Sequence, residues 1–182
     1  AFTQLIGFKN YGDEYKMMGL SSYGKPKYYE IISKNLFREV SDIKLNLKYF
    51  NHTDKNYSYK FQGRPKQNNL FSNNLKNLFN INELSSNNIT DLQKDLASSV
   101  QKVFEHKLFE IIKEIKNLNY SENLVYAGGC ALNSLANKKL HESNFFKNIF
   151  IPYAPGDGGG SIGAALYALK KNKKTILSNL TS

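Results

Sequence analysis

Asp157 is a carboxylate set among glycines: Pro155-Gly-Asp-Gly-Gly-Gly-Ser-Ile-Gly163 puts Gly156 on one side and Gly158, Gly159 and Gly160 on the other. An aspartate just before a helix start caps the helix with its oxygen, or projects into a cleft as a metal ligand. Caps are the commoner use and spacing alone favours one, but the flanking glycines shift the balance toward the second, because an ordinary cap does not need a backbone kept bare on both sides.

A second glycine loop is Gly128-Gly129-Cys130-Ala131-Leu132-Asn133, directly after an apolar run. Paired glycines let a ligand approach the main chain because no Cβ stands in the way. Asn133 adds a side-chain donor and acceptor. The same residues also describe a tight strand-to-helix turn with Asn133 as cap, and spacing alone leaves both readings open. The loop is neither a dinucleotide fingerprint nor a P-loop, since no third glycine and no Lys-Ser/Thr follow at the right distance.

The third segment is Gly12-Asp13-Glu14-Tyr15-Lys16-Met17-Met18-Gly19-Leu20. Acidic residues at a helix start are ordinary dipole partners, and Met17, Met18 and Leu20 suit a core. A carboxylate there can also hold a ribose by its two hydroxyls.

Other chemistries find no support. His52, His106 and His141 are far apart, with no His-x-x-x-His pair, so these residues do not assemble a metal site by themselves. No Gly-x-Ser-x-Gly elbow is present. Cys130 is the single cysteine, which excludes an internal disulfide, and it is expected as a small buried hydrophobe.

The elements that must position these residues follow from periodicity. Residues 3 to 10 alternate like a short strand entering a turn at Tyr11-Gly12-Asp13, and a helix is expected from Glu14 to the Gly24-Pro26 break. Tyr28 to Leu36 suits another helix and Ile43 to Phe50 a strand. His52 to Asn88 reads as loops and short helices, with a turn at Gly63-Arg64-Pro65. Thr90 and Gln93 have capping-box spacing, and Leu92, Leu96, Val100, Val103, Phe104, Leu108, Ile111, Ile112 and Ile115 form one stripe of a long helix to about Lys116. Strands at 123–127 and 149–152 each lead through a glycine loop into a helix, the first from about Leu132 to Leu140. Two such units in succession predict neighbouring strands that deliver both loops to one sheet edge, where α/β proteins bind phosphates and nucleotides.

Composition narrows the class. The 182 residues carry 25 Lys plus Arg against 15 Asp plus Glu, a formal charge of +10, with 41% apolar and 22% charged positions, which suits a globular protein. No run approaches the roughly 20 apolar residues of a membrane span, and the start lacks a signal pattern. A cytoplasmic protein without membrane contact is expected. Positive charge is scattered, densest at Lys170, Lys171, Lys173 and Lys174, and only Arg38 and Arg64 supply guanidinium, so nothing points to nucleic acid.

Four blocks in order, residues 12–24, Asp-Leu-Gln-Lys-Asp-Leu-Ala-Ser-Ser-Val-Gln at 91–101, 128–133 and Pro-Gly-Asp-Gly-Gly-Gly-Ser-Ile-Gly-Ala-Ala at 155–165, resemble the O-carbamoyltransferase family of nodulation and antibiotic-tailoring enzymes. The resemblance spans essentially the whole chain, weakly through 44–88. It implies an α/β, actin-like ATPase fold (ribonuclease H-like), related to the threonylcarbamoyl transferases of tRNA modification. Residues 1–182 would form one partial domain, the later half of the first domain. The other lobe, with a histidine pair and a first phosphate loop, is expected upstream, and an adenylate-forming domain downstream.

The implied chemistry is ATP- and carbamoyl-phosphate-dependent: a carbamoyl-adenylate forms, and its carbamoyl group passes to a hydroxyl of a small-molecule acceptor. Asp157 matches the metal-binding aspartate, the divalent metal being taken as iron. Gly128, Gly129, Asn133 and Gly158 match nucleotide-binding positions, and Glu14 and Lys16 a segment beside the ribose. Departures are small: Ser21-Ser22 stand where Ala-Pro is usual, Cys130 replaces a common valine, and Gly158 and Ser161 replace alanines. Alternatives are a threonylcarbamoyl transferase acting on tRNA, and an actin- or chaperone-type nucleotide-binding module without transferase activity.

Overall fold

The computed structural model describes residues 1–38, 43–54, 58–62, 64–82 and 84–171. It is an α/β structure that divides into two compact units, Ala1–Ile111 and Ile112–Ser182.

In the first unit the chain runs through α1 (Phe2–Leu5), α2 (Glu14–Ser21), α3 (Tyr29–Asn35), an antiparallel hairpin of β1 (Tyr59–Gln62) and β2 (Arg64–Gln67), α4 (Asn73–Leu78) and the long α5 (Asp91–Asn117), within which the unit boundary falls. Phe2, Leu5 and Ile6 are buried at helical spacing and join Ile32, Leu36, Tyr49, Leu75, Phe79, Leu96 and Val103 in the core. Alternation at 3–10 therefore misled: three large apolar side chains one turn apart bury more area as a helix than as a strand. The strand expected at 43–50 is also absent. That segment makes isolated bridges, Phe37 to Leu45 and Phe50 to Phe71, around a 3₁₀ turn at Leu47–Tyr49. The hairpin was not foreseen, and Gly63 of its expected turn lies outside the described residues, while Arg64 and Pro65 already belong to β2.

Half of the expected capping box forms at α5: Gln93 Oε1 accepts the Thr90 N–H at 2.8 Å, while the Thr90 hydroxyl donates to the same oxygen at 2.9 Å. Gln93 is fully buried and does more than cap. Its Nε2 donates to the carbonyls of Ile6 and Ser85, each at 2.9 Å, tying the start of the chain and the 85–90 loop to α5. The predicted stripe is buried at Leu96 and Val103, whereas Ile111 and Ile115 near the end of α5 are exposed.

The second unit contains β3 (Asn123–Val125), a 3₁₀ turn at Gly129–Leu132, α6 (Ser134–Glu142), β4 (Asn148–Phe150) and α7 (Gly159–Lys171). The two strands pair in parallel, with Asn123, Leu124 and Val125 opposite Asn148, Ile149 and Phe150. Both glycine loops thus leave the same, carboxyl, edge of the sheet. Leu124 and Ile149 are half-covered, while Val125 and Phe150 on the other face are 72% and 63% exposed.

Candidate functional site

Parallel pairing brings two of the three predicted segments together. The backbone N–H of Gly128 donates to the carbonyl of Pro155 at 2.7 Å, and one step back along the strands Tyr126 N–H donates to Phe150 O at 3.0 Å. The 128–133 and 155–160 loops therefore continue the strand pairing beyond the sheet and form one ledge. Gly128 has φ +99°, a conformation that L side chains rarely adopt, so glycine is required there by the backbone itself. A Cβ added at Gly128, Gly129, Gly158 or Gly160 would meet nothing within 4 Å. The ledge is bare on its open side. Because the Gly128 N–H is committed to Pro155, Gly128 offers a ligand surface rather than a donor.

Each predicted side chain on the ledge has a definite state. Asn133 caps α6: its Oδ1 accepts the Ala136 N–H at 3.0 Å, so the turn-and-cap reading is realised. Asp157 does the opposite. Its carboxylate is exposed and makes no hydrogen bond among the described residues, so it does not cap α7, while its carbonyl accepts the Gly160 N–H at 3.1 Å. Among the described residues no group of three His, Cys, Asp or Glu could hold a metal ion. Asp157 fits as one ligand of a metal that needs others.

Cys130, expected buried, is exposed. The 3₁₀ turn at Gly129–Leu132 covers Ala131 instead and leaves positions 129, 130 and 132 in the open. Tyr126, which the sequence did not single out, has its hydroxyl buried without a hydrogen-bond partner among the described residues. Burial, with a smaller contribution from Cys130, pushes its pKa up to about 12. Its position two residues before Gly128 was the available signal.

Glu14 and Lys16 lie on α2 in the first unit. Glu14 is exposed in the first helical turn. Lys16 Nζ pairs with Asp13 Oδ1 at 2.7 Å, and Asp13, at 8% side-chain exposure, is the buried member. Burial opposes ionisation of Asp13, yet its hydrogen bonds from Lys16 and Asn10 outweigh it and hold the carboxyl below its usual value. The far end of this block is fixed against α5. A Cβ on Gly24 would lie 2.0 Å from the Lys94 carbonyl oxygen, Lys25 N–H donates to Asp95 Oδ1 at 2.7 Å, and Tyr28 N–H donates to Ser99 Oγ at 2.9 Å. Block 12–24 thus ends in close approach to block 91–101, and the residues just after it, Lys25 and Tyr28, bond to that second block. Met17 and Leu20 pack against the core as expected. No helix of the described residues is long and apolar enough to cross a membrane.

The chain is 39% identical over 174 residues to the uncharacterised protein sll1178 of Synechocystis sp., covering 91% of this chain and 26% of that protein. It is 28% identical over 174 residues to nodulation protein NolNO of Sinorhizobium fredii, covering 91% of this chain and 22% of the relative. It is also 37% identical over 83 residues to the tRNA N6-adenosine threonylcarbamoyltransferase of Ureaplasma urealyticum, 45% of this chain and 26% of the relative. The chain therefore spans about a quarter of the length of these relatives. Residues 1–166 match the family described as carbamoyltransferase N-terminus, and the chain belongs to that family.

Proposed function

We propose that this chain is part of an ATP- and carbamoyl-phosphate-dependent O-carbamoyltransferase with an actin-like fold, and that the ledge formed by residues 128–133 and 155–160 receives the nucleotide end of carbamoyl-adenylate. The observation that carries the reading is the Gly128 N–H to Pro155 O bond at the carboxyl edge of a parallel sheet, beside an exposed carboxylate at Asp157. That edge is where α/β proteins seat phosphates.

In the transfer step the acceptor hydroxyl oxygen bonds to the carbamoyl carbon, the bond from that carbon to the adenylate phosphate oxygen breaks, and AMP departs with the bonding pair while the hydroxyl proton is lost. Negative charge grows on the acyl oxygen meanwhile. A divalent cation, taken as iron, supplies positive charge against that oxygen when bound. Asp157 would be one of its ligands. The bare surfaces of Gly128, Gly129 and Gly158 admit the nucleotide to the main chain, beside Asn133 at the start of α6.

The similarity to a threonylcarbamoyltransferase supports a second reading, transfer of a threonylcarbamoyl group to tRNA, and one assay separates the two. The complete polypeptide carrying this chain is incubated with ATP, carbamoyl phosphate, ferrous ion and a panel of polyhydroxylated small molecules, and in parallel with threonylcarbamoyl-adenylate and tRNA. Pyrophosphate release that requires carbamoyl phosphate, with a carbamoylated small molecule, is the expected result. Product in the tRNA arm alone would establish the second reading, and ATP hydrolysis without either product would leave a nucleotide-binding module.

A further inference from the structure

Tyr29 opens α3, and Lys102, His106 and Glu110 follow one another at four-residue steps on α5, so that the last three share one helix face. All four belong to the first unit, and the ledge uses none of them. The Tyr29 hydroxyl is hydrogen-bonded to His106 Nδ1. Glu110 Oε1 lies 3.3 Å from His106 Nε2, and the second oxygen of Glu110 accepts from Lys107 Nζ at 2.9 Å. Lys102 Nζ stands 4.8 Å from the centre of the Tyr29 ring.

These contacts assign the tautomer of the imidazole. An ionised carboxylate only accepts, so Glu110 holds the ring proton on Nε2 and leaves the lone pair of Nδ1 to the tyrosine. The phenol is then the donor in the Tyr29–His106 bond. The two ring planes are 6° apart, with centroids 6.0 Å from each other, so the hydroxyl meets the edge of the imidazole, where that lone pair lies. A hydroxyl bonded to a histidine whose far nitrogen is held by a carboxylate is the arrangement that activates a nucleophile. Charge is provided for at both ends: Glu110 balances an imidazolium at His106, and the Lys102 ammonium over the ring favours a phenolate at Tyr29. Glu110 also disfavours a polyanionic donor such as a phosphoryl compound. An acyl donor of low charge meets no such repulsion.

We propose that Tyr29 is a nucleophile with His106 as its base, and that it takes up the acyl group of a small activated acyl donor, an acyl imidazole or activated ester. Tyr29 Oη bonds to the acyl carbon, the bond from that carbon to the leaving group breaks, and the leaving group departs with the bonding pair. The phenol proton passes to His106 Nδ1 and from there to the leaving group or to water. The His106 side chain is 57% exposed, so both can reach it.

The test treats the complete polypeptide with N-acetylimidazole at pH 7, follows acetylation of each tyrosine by peptide mass spectrometry, and compares wild type with His106→Ala. Tyr29 is half-buried, whereas Tyr23 and Tyr120 are 76% and 88% exposed, so accessibility alone would label those two first. The expected result is the reverse: Tyr29 is acetylated at least about tenfold faster than either, a modest share of what a positioned base supplies. In His106→Ala that advantage is expected to vanish while Tyr23 and Tyr120 keep their rates. Tyr29 reacting no faster than Tyr23 in wild type overturns the proposal. So does fast labelling of Tyr29 that survives in His106→Ala, because the imidazole then plays no part in it. If His106→Ala does not fold, His106→Gln, which keeps a polar side chain but supplies no base, is read by the same two criteria.

Discussion

Gly128 donates its N–H to Pro155 across 2.7 Å, three residues beyond the end of β3 and five beyond the end of β4 in a two-stranded parallel sheet. Two loops separated by more than 20 residues in sequence thereby share one edge, and the carboxylate of Asp157 stands on the second loop. Any ligand seated on the first loop lies beside the second.

Asp157→Ala should leave the fold unchanged, because the carboxylate is exposed and bonds nothing among the described residues. In the complete polypeptide it should abolish stoichiometric metal, read by elemental analysis, and lower transfer about a hundredfold or more. Full metal occupancy in this variant would remove Asp157 from the ligand set.

Gln93→Leu should destabilise the protein by about 2 kcal/mol, since it leaves the buried carbonyl of Ile6 without its partner, whereas Ser85 and Thr90 are exposed and can turn to water. Urea denaturation measures this. A loss below about 1 kcal/mol would mean that water or rearrangement satisfies that carbonyl.

Asp95 gives a pH signature. The hydrogen bond from Lys27, followed by that from the Lys25 N–H, holds its pKa below the ordinary 3.8. A depressed carboxyl pKa contributes stability that is fully present above the unfolded value and is lost as pH falls through the folded one. The stability difference between wild type and Asp95→Asn should therefore be constant at and above about pH 5 and shrink toward pH 2. A difference independent of pH across that window would contradict the assignment.

Much of the site was legible because glycines and strand order are written locally. The apolar runs at 123–127 and 149–152, each followed by glycine, appear as β3 and β4 with the predicted neighbour relation, and the stripe from Leu92 to Val103 appears on α5. The strand expected at 3–10 was a misreading because helical spacing and loose alternation coincide over so short a stretch. Cys130 was misread because its exposure depends on which way a 3₁₀ turn faces, and no periodicity reports that. The bonds of Gln93 to Ile6 and Ser85 depend on tertiary partners. Such contacts leave no trace in spacing.

The most direct measurement is nucleotide affinity of the complete polypeptide with Gly129→Val and Gly158→Val. Neither glycine has a positive φ, and both face open space, so the added methyls fill the ledge without backbone strain. Each variant should melt within about 2 °C of wild type yet bind AMP about tenfold more weakly or worse. Wild-type AMP affinity in both would contradict the placement of the nucleotide on this ledge.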